Sequence, residues 1–183
     1  MIPRTWQGRR VRPASAGYNL LKTAGQVVLL WTIFFGVLPA ALVRIERHSP
    51  VRRYRFAHPR SRWVGRVLFM AAGLSGLASG VVMTVAGQGT PLPMDCPRQL
   101  VIAGPYRYVR NPMALTGLLQ ALAVGLYRGS PTALVYALIG ALGWNYGIRP
   151  WEEQDLRRRF GPRYTEYHAQ VRCWIPRRPV AGR

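Results

Sequence analysis

Negative charge is nearly missing from this chain. Its 183 residues include 6 Asp plus Glu against 26 Lys plus Arg, and Lys22 is the single lysine among those cations. Cysteine is scarce too: Cys96 and Cys173 form no CxxC pair, which excludes a disulfide framework and a cysteine metal site. His48, His58 and His168 are scattered along the chain, so no structural or catalytic metal is expected. What is abundant is apolar: 49% of residues are hydrophobic beside a formal net charge of +20. The two extremes coexist because they are segregated, with arginine concentrated in the connecting segments and apolar runs almost free of charge. Basic flanks around apolar runs mark a polytopic membrane protein touching anionic headgroups. Nucleic-acid binding would explain the arginine but not the long uncharged runs, so no nucleic-acid partner is expected.

The first run, Ala24 to Val43, is uncharged, lies between Lys22 and Arg44, and lacks a convincing cleavage site, so it reads as a retained anchor. At 1.5 Å per residue it crosses a hydrocarbon core of about 30 Å. Pro39 is expected to kink it or mark the interface. A loop follows with arginines at 44, 47, 52, 53, 55, 60 and 62, either a phosphate-binding patch or a linker against headgroups. The second run, Val64 to Ala86, is interrupted by Arg66, which can snorkel, and carries a small-residue pair, Gly76 and Gly80, suited to close helix packing. Gly87 to Pro97 breaks helix. Asn111 then caps, and Pro112 opens, a helix to Tyr127 with Gly117, Ala121 and Gly125 on one face. Arg128 to Pro131 turns the chain, and a return helix runs through Gly147 or Ile148. An amphipathic helix from Trp151 to Phe160 follows Pro150, then a second segment from Arg163 to Val171 that must dock on the mouth of the bundle.

The expected architecture is therefore all-α and polytopic, with about four transmembrane helices and a cytoplasmic C-terminal helical segment. It divides into a basic segment (1–23), a transmembrane bundle (24–149) and the C-terminal segment (150–183) of a single domain. A hairpin between Pro112 and Arg149 puts the Gly104 loop and the Glu152 helix on one membrane side, which the arginine excess assigns to the cytoplasm. The Arg44 to Arg62 loop then faces outward against that rule. Either the second run is re-entrant or the loop defies the statistics; the second alternative is preferred.

Three of the six acids, Glu152, Glu153 and Asp155, fall within four positions. Bunched acids suit a helix N-terminus, and equally suit a fixed positive charge. The stretch from Gly104 to Pro112 supplies guanidinium groups, tyrosine faces and the free N–H groups of a helix start, which suit a carboxylate or phosphate beside a flat ring. Glutamates facing that stretch suit an ammonium or hydroxyls. S-adenosylmethionine carries all of these features at once.

The succession Gly104-Pro105-Tyr106-Arg107-Tyr108-Val109-Arg110-Asn111-Pro112-Met113, after Gly-Thr-Pro-Leu-Pro and before Glu152-Glu153, Leu156, Phe160-Gly161, Tyr164, Tyr167 and Trp174-Ile175-Pro176, resembles one group of enzymes. These are the integral-membrane methyltransferases related to isoprenylcysteine carboxyl methyltransferase and phospholipid N-methyltransferase, and the similarity covers roughly residues 64–177. In that family an Arg-His-Pro segment and paired glutamates surround S-adenosylmethionine, and a hydrophobic substrate enters from the bilayer. The resemblance implies cofactor-binding roles for Gly104, Tyr106, Arg110, Asn111, Pro112, Gly117, Glu152 and Glu153, and substrate-handling roles for Arg149 and Glu153. Asn111 stands where histidine is usual and Ala114 near a frequent tyrosine, so at these positions the resemblance carries backbone rather than side-chain contacts. Tyr108 is a further stacking candidate and His168 a candidate base.

The implied reaction is methyl transfer from S-adenosylmethionine to a lipophilic small molecule or lipid. Its expected place is a membrane of bacterial type, since the arginine usage points to a GC-rich genome, with the site on the cytoplasmic side. Two other readings stay open: an NADPH-dependent membrane reductase of the same architecture, and a non-enzymatic protein that binds anionic lipid. Oxygen, nitrogen and sulfur acceptors are all compatible with the residues.

Overall fold

The computed structural model describes residues 16–56, 58–87 and 98–176. The basic segment before Ala16, most of the breaker that holds Gly-Thr-Pro-Leu-Pro and Cys96, and the tail after Pro176 lie outside the described residues. Seven α-helices carry the described chain: α1 (Ala16–Trp31), α2 (Leu38–Arg47), α3 (Pro59–Gly87), α4 (Pro112–Arg128), α5 (Pro131–Gly143), α6 (Arg149–Phe160) and α7 (Pro162–Gln170). Short 3-10 turns at Pro50–Tyr54 and Gly104–Arg107 are the other regular pieces beside two π segments.

Those π segments explain how two prolines are accommodated. Thr32–Val37 joins α1 to α2 and Trp144–Ile148 joins α5 to α6, each ending two residues before a proline, Pro39 or Pro150. A proline inside a helix lacks its N–H and pushes against the carbonyl four residues back, here that of Phe35 or Tyr146. Widening the preceding turn to π spacing makes room without ending the helix. One sequence expectation is corrected by this: no new helix starts at Pro150, because α5, the π turn and α6 run on from Pro131 to Phe160.

Leu21–Arg47 and Pro59–Gly87 are long and apolar enough to cross a membrane, at 27 and 29 residues. The faces of α3 identify the surrounding medium. Its inward side is small or hydroxylic, with Ala72, Ser79 and Thr84 buried, whereas Met70, Leu74, Val81 and Val85 are each at least half exposed. A water-soluble helix would turn those large side chains inward. Small residues inside and large apolar ones outside is the arrangement of a helix solvated by lipid.

By contacts the described chain forms two compact units. The first holds the chain up to Gly25, Leu77–Pro112 and the residues from Ile148 onward. In it α7 buries Tyr164, Tyr167 and Val171 against Leu100, Ile102, Leu156 and Phe160. The short apolar stretch 100–103 thus contributes to a core with the C-terminal helices. Here too Thr23 and Thr84 share a hydrogen bond of 3.2 Å, joining α1 to α3.

The second unit holds Gln26–Gly76 and Met113–Gly147. Trp31, Phe35 and Phe69 meet edge to face with centroids 5.9 to 6.2 Å apart, an arrangement favoured by the ring quadrupoles. Ser130 caps α5, its Oγ accepting from the Ala133 N–H at 3.2 Å with Pro131 at the first position, as the sequence pattern predicts. At Gly65, α3 meets α4 backbone to backbone: a Cβ there would lie 2.7 Å from the Ala123 carbonyl oxygen and from the Tyr127 nitrogen.

That approach is testable. Gly65→Ala should destabilise by about 1–3 kcal/mol, because a backbone has to move to admit the methyl group. Gly25→Ala in α1, where a Cβ meets nothing within 4 Å, should be neutral or stabilising by about 0.5–1 kcal/mol. Thermal midpoints of the two variants in the same detergent check the pair; equal shifts would remove the α3–α4 contact.

Candidate active site

The loop before α4 is shaped by Gly104, whose φ of +51° is a left-handed conformation that side chains disfavour. Space excludes a side chain as well, since a Cβ would come 3.0 Å from the Val82 methyl. The turn that follows buries Tyr106, 4% exposed, and its carbonyl accepts a 2.6 Å hydrogen bond from the Tyr167 hydroxyl. Burial pushes the hydroxyls of both tyrosines far above the ordinary phenol range, so both stay protonated. Tyr108, two residues on, is 45% exposed.

Arg110 is the hub. One guanidinium nitrogen donates to Glu153 Oε1 at 2.8 Å, and the other donates to the carbonyls of Val171 at 2.6 Å and His168 at 3.0 Å. Its backbone N–H reaches the Arg172 carbonyl at 3.0 Å. The last carbonyls of α7 have no helical partner, and a cation there satisfies them and meets the negative end of the helix dipole. Next to it, Asn111 Nδ2 donates to Glu152 Oε2 at 2.9 Å. The loop and the acids are therefore joined residue to residue within the first unit.

The two neighbouring glutamates sit in different surroundings. Glu153 also has His168 Nε2 at 3.3 Å from Oε2 and Arg149 Nε at 3.9 Å from Oε1. Burial raises its pKa, but the Arg110 hydrogen bond and the charges of Arg110, His168 and Arg149 outweigh that and hold it below the ordinary carboxylate value. Glu152 has a neutral amide instead of a cation. Burial pushes its carboxyl up to about 7, with the Asn111 hydrogen bond opposing and the Glu153 charge adding to the rise. One carboxyl is committed as an anion while the other is poised near neutrality, the separation that assigns two acids two roles.

Around them, burial and the Arg110 charge lower the pKa of His168, against the pull of Glu153, so its imidazole is neutral at pH 7. Arg157 Nη2 lies 3.2 Å from the same His168 nitrogen. A neutral ring nitrogen serves either Arg157 as acceptor or Glu153 as donor, one at a time. Arg149 Nε is buried without a hydrogen-bond partner, and so is Arg110 Nε. Burial raises the pKa of the Cys173 thiol. Pro112 begins α4, and Gly117 lies on α4 in the second unit with open space where a side chain would project. The main-chain carbonyls of His168 and Val171 were missed by sequence reasoning, which sees side chains and not the ends of a helix whose limits are unknown.

Residues 61–163 match the family model described as phospholipid methyltransferase. The chain belongs to the phospholipid methyltransferase family. Being of that family, with two helices able to cross a bilayer, it is a membrane methyltransferase. No individual curated protein matches it. The family match spans α3 to the start of α7 and so contains the Gly104 loop, Arg110, Asn111, Arg149 and both glutamates.

The pKa directions fix a pH dependence for this methyltransferase. Glu152 holds its proton in the folded chain at a pH where the unfolded chain has released it. Its contribution to stability is complete below the ordinary value of 4.5 and is lost as pH rises through about 7. Glu153, lowered, contributes in the other sense and loses its part as pH falls below its ordinary value. Between about pH 5 and pH 8 Glu152 therefore pulls the thermal midpoint of the ligand-free protein down as pH rises, against a rise up to 6.5 from His168, whose pKa is lowered, and Glu152→Gln should remove the falling part. A variant that keeps the full decline would place the titration elsewhere.

Proposed function

We propose that this chain transfers the methyl group of S-adenosylmethionine to a lipophilic small molecule or lipid at the membrane interface, on the cytoplasmic side of a bacterial inner membrane. Glu152 is the observation that carries the reading: a partly buried carboxyl near neutral pKa, held by a neutral amide beside a carboxylate already paired with arginine. Such a group gains most from a cationic ligand, because an ammonium supplies the charge it lacks. Arg149 reaches Glu153 only at 3.9 Å and its Nε has no hydrogen-bond partner, so a ligand carboxylate offers it a closer acceptor. An α-amino acid end satisfies both, and S-adenosylmethionine has one.

S-adenosylmethionine supplies, when bound, a methyl group on a sulfonium sulfur, open to in-line displacement by a nucleophile. The work left to the protein is binding, alignment and exclusion of water. In this reading Glu152 takes the ammonium and Arg149 the carboxylate. Arg110 and Glu153 lock the loop to α6 so that Asn111, Pro112 and the Gly104 turn present a fixed backbone. Tyr108 offers an exposed ring for the flat base. Tyr106 serves through backbone and shape. An oxygen acceptor that is already a carboxylate needs no base; an amine or thiol has His168, neutral at pH 7, within the same cluster. The four expected spans consist of the two long helices together with α4 and the α5 run.

S-adenosylhomocysteine should stabilise the protein in detergent by about 2.7 kcal/mol at a hundred times its dissociation constant, and NADPH should not. Affinity should climb as pH rises through 7 and Glu152 ionises. Glu152→Gln should weaken binding by about tenfold or more and abolish that climb. Glu153→Gln, which releases Arg110, should abolish turnover. Stabilisation by NADPH instead would replace methyl transfer with reduction. Stabilisation by neither ligand, or unaltered kinetics in Glu153→Gln, would end the assignment.

A further inference from the structure

A second concentration of charge lies wholly in the other compact unit, and methyl transfer makes no use of it. The last turn of α2, the loop after it, the first turn of α3 and the end of α4 bring Arg47, Arg55, Arg62 and Arg128 around an open pocket of about 240 Å³, completed by Val43 and Tyr127. One of the lining arginines, Arg55, is held by a buried carboxylate. Glu46, 1% exposed, binds Arg55 Nη1 at 2.5 Å through one oxygen. The other oxygen accepts from Ser130 Oγ at 2.6 Å, from the Thr132 N–H at 3.0 Å and from the Thr132 hydroxyl. Arg55 in turn donates to the Arg128 carbonyl at 2.9 Å, and the Phe56 N–H to the Gly129 carbonyl at 3.1 Å. One side of the pocket is therefore built and rigid before any ligand arrives.

That knot consumes the local negative charge. Glu46 is the single acid in the first 94 residues, and four donors saturate it. Against it stand four lining arginines, which leaves a surplus of three positive charges. Among the described residues none of Arg47, Arg62 and Arg128 has a carboxylate within ion-pair distance. Arg66 adds a fifth guanidinium, stacked over the Tyr127 ring at 5.3 Å. Guanidinium groups brought together without counter-charge repel, and an anion in their midst reverses the sign of that interaction.

The kind of anion follows from the donors. Several planar guanidiniums arriving from different helices suit an acceptor with three or more oxygens in a tetrahedral array, each taken in a forked pair. A flat carboxylate would satisfy one of them. On the apolar side, buried Val43 and the Tyr127 ring give a non-ionic wall against which an ester carbon rests. The volume is below the roughly 300–1,000 Å³ of drug-sized cavities and suits a headgroup.

We propose that this pocket is a phosphate-oxyanion site, filled by the phosphate of an anionic phospholipid headgroup or of a free phosphorylated small molecule. It requires nothing of the Glu152 site, shares no residue with it, and would stand if the methyl-transfer reading fell. It also assigns work to the arginine-rich stretch from Arg44 to Arg62, which the sequence alone leaves as a phosphate-binding patch or a headgroup linker.

The test uses the full chain purified in a neutral detergent, with short-chain dioctanoyl phosphatidylglycerol and glycerol 3-phosphate as probes, read by native mass spectrometry and by thermal shift. The double variant Arg47→Gln, Arg62→Gln removes two pocket charges and leaves the Glu46 knot intact. Arg44→Gln, Arg60→Gln removes two exposed charges near the facing ends of α2 and α3, outside the pocket. The pocket pair should weaken probe binding about tenfold or more, and the outer pair less than about threefold. Binding of the lipid alone identifies a headgroup, and comparable binding of glycerol 3-phosphate identifies a free phosphorylated compound; both support the site. Binding of neither probe, or equal loss in both double variants, overturns it, the second outcome meaning a diffuse basic surface.

Discussion

The Arg110 guanidinium is the point on which the C-terminal third of this protein depends. It reaches Glu153 on α6 and two carbonyls at the end of α7, while its own N–H is held by Arg172. Helices α6 and α7 carry too much charge to enter lipid, and α7, 9 residues long, is not stable by itself. They persist because Tyr164, Tyr167 and Val171 find apolar cover from the 100–102 stretch, and because Arg110 supplies the donors their last turn lacks. Losing that arginine would strip Glu153 of its strongest partner and leave buried carbonyls unpaired together, a coupled loss larger than either part.

Lipid imposes the second constraint. With no water to hydrogen-bond a broken backbone, a proline in an apolar helix has to be absorbed inside the helix. Both Pro39 and Pro150 are absorbed by a π turn that ends two residues earlier. At Pro150 this has a consequence for the site, because the helix that carries Arg149, Glu152 and Glu153 is continuous with an apolar helix instead of hanging from a loop.

Much of this was legible from residue order. Charge segregation marked the membrane segments, and the bunching of acids on a cationic chain pointed to the loop that Glu152 and Glu153 meet, while Asp155 pairs with Arg159 on its own helix. Ser130-Pro131 marked the hairpin turn. The π turns were not legible, because proline ordinarily signals a helix boundary and the local sequence holds no sign that the bilayer forbids one there. The different states of Glu152 and Glu153 were equally hidden: adjacent identical residues acquire them from Asn111 and Arg110, more than forty positions away in the chain. Glu46 did carry a readable signal that sequence reasoning passed over, a lone acid among seven arginines, since a carboxylate so placed is fixed by whichever guanidinium reaches it.

Three glutamates together show how burial of one chemical group leads to different ends. Glu46 is the most buried and its oxygens are filled by Arg55, Ser130 and Thr132, so it has nothing left to offer a ligand. Glu153 is likewise spent, on Arg110 and His168, and its value is geometric. Glu152 has one neutral donor and an elevated pKa. A carboxyl that is desolvated and only half satisfied costs the folded state energy, and selection for stability alone would supply it with a cation or replace it with an amide. Its place beside a saturated neighbour is accounted for if the missing cation arrives with the ligand. The stabilisation then appears only on binding, and appears more strongly because the site was left incomplete.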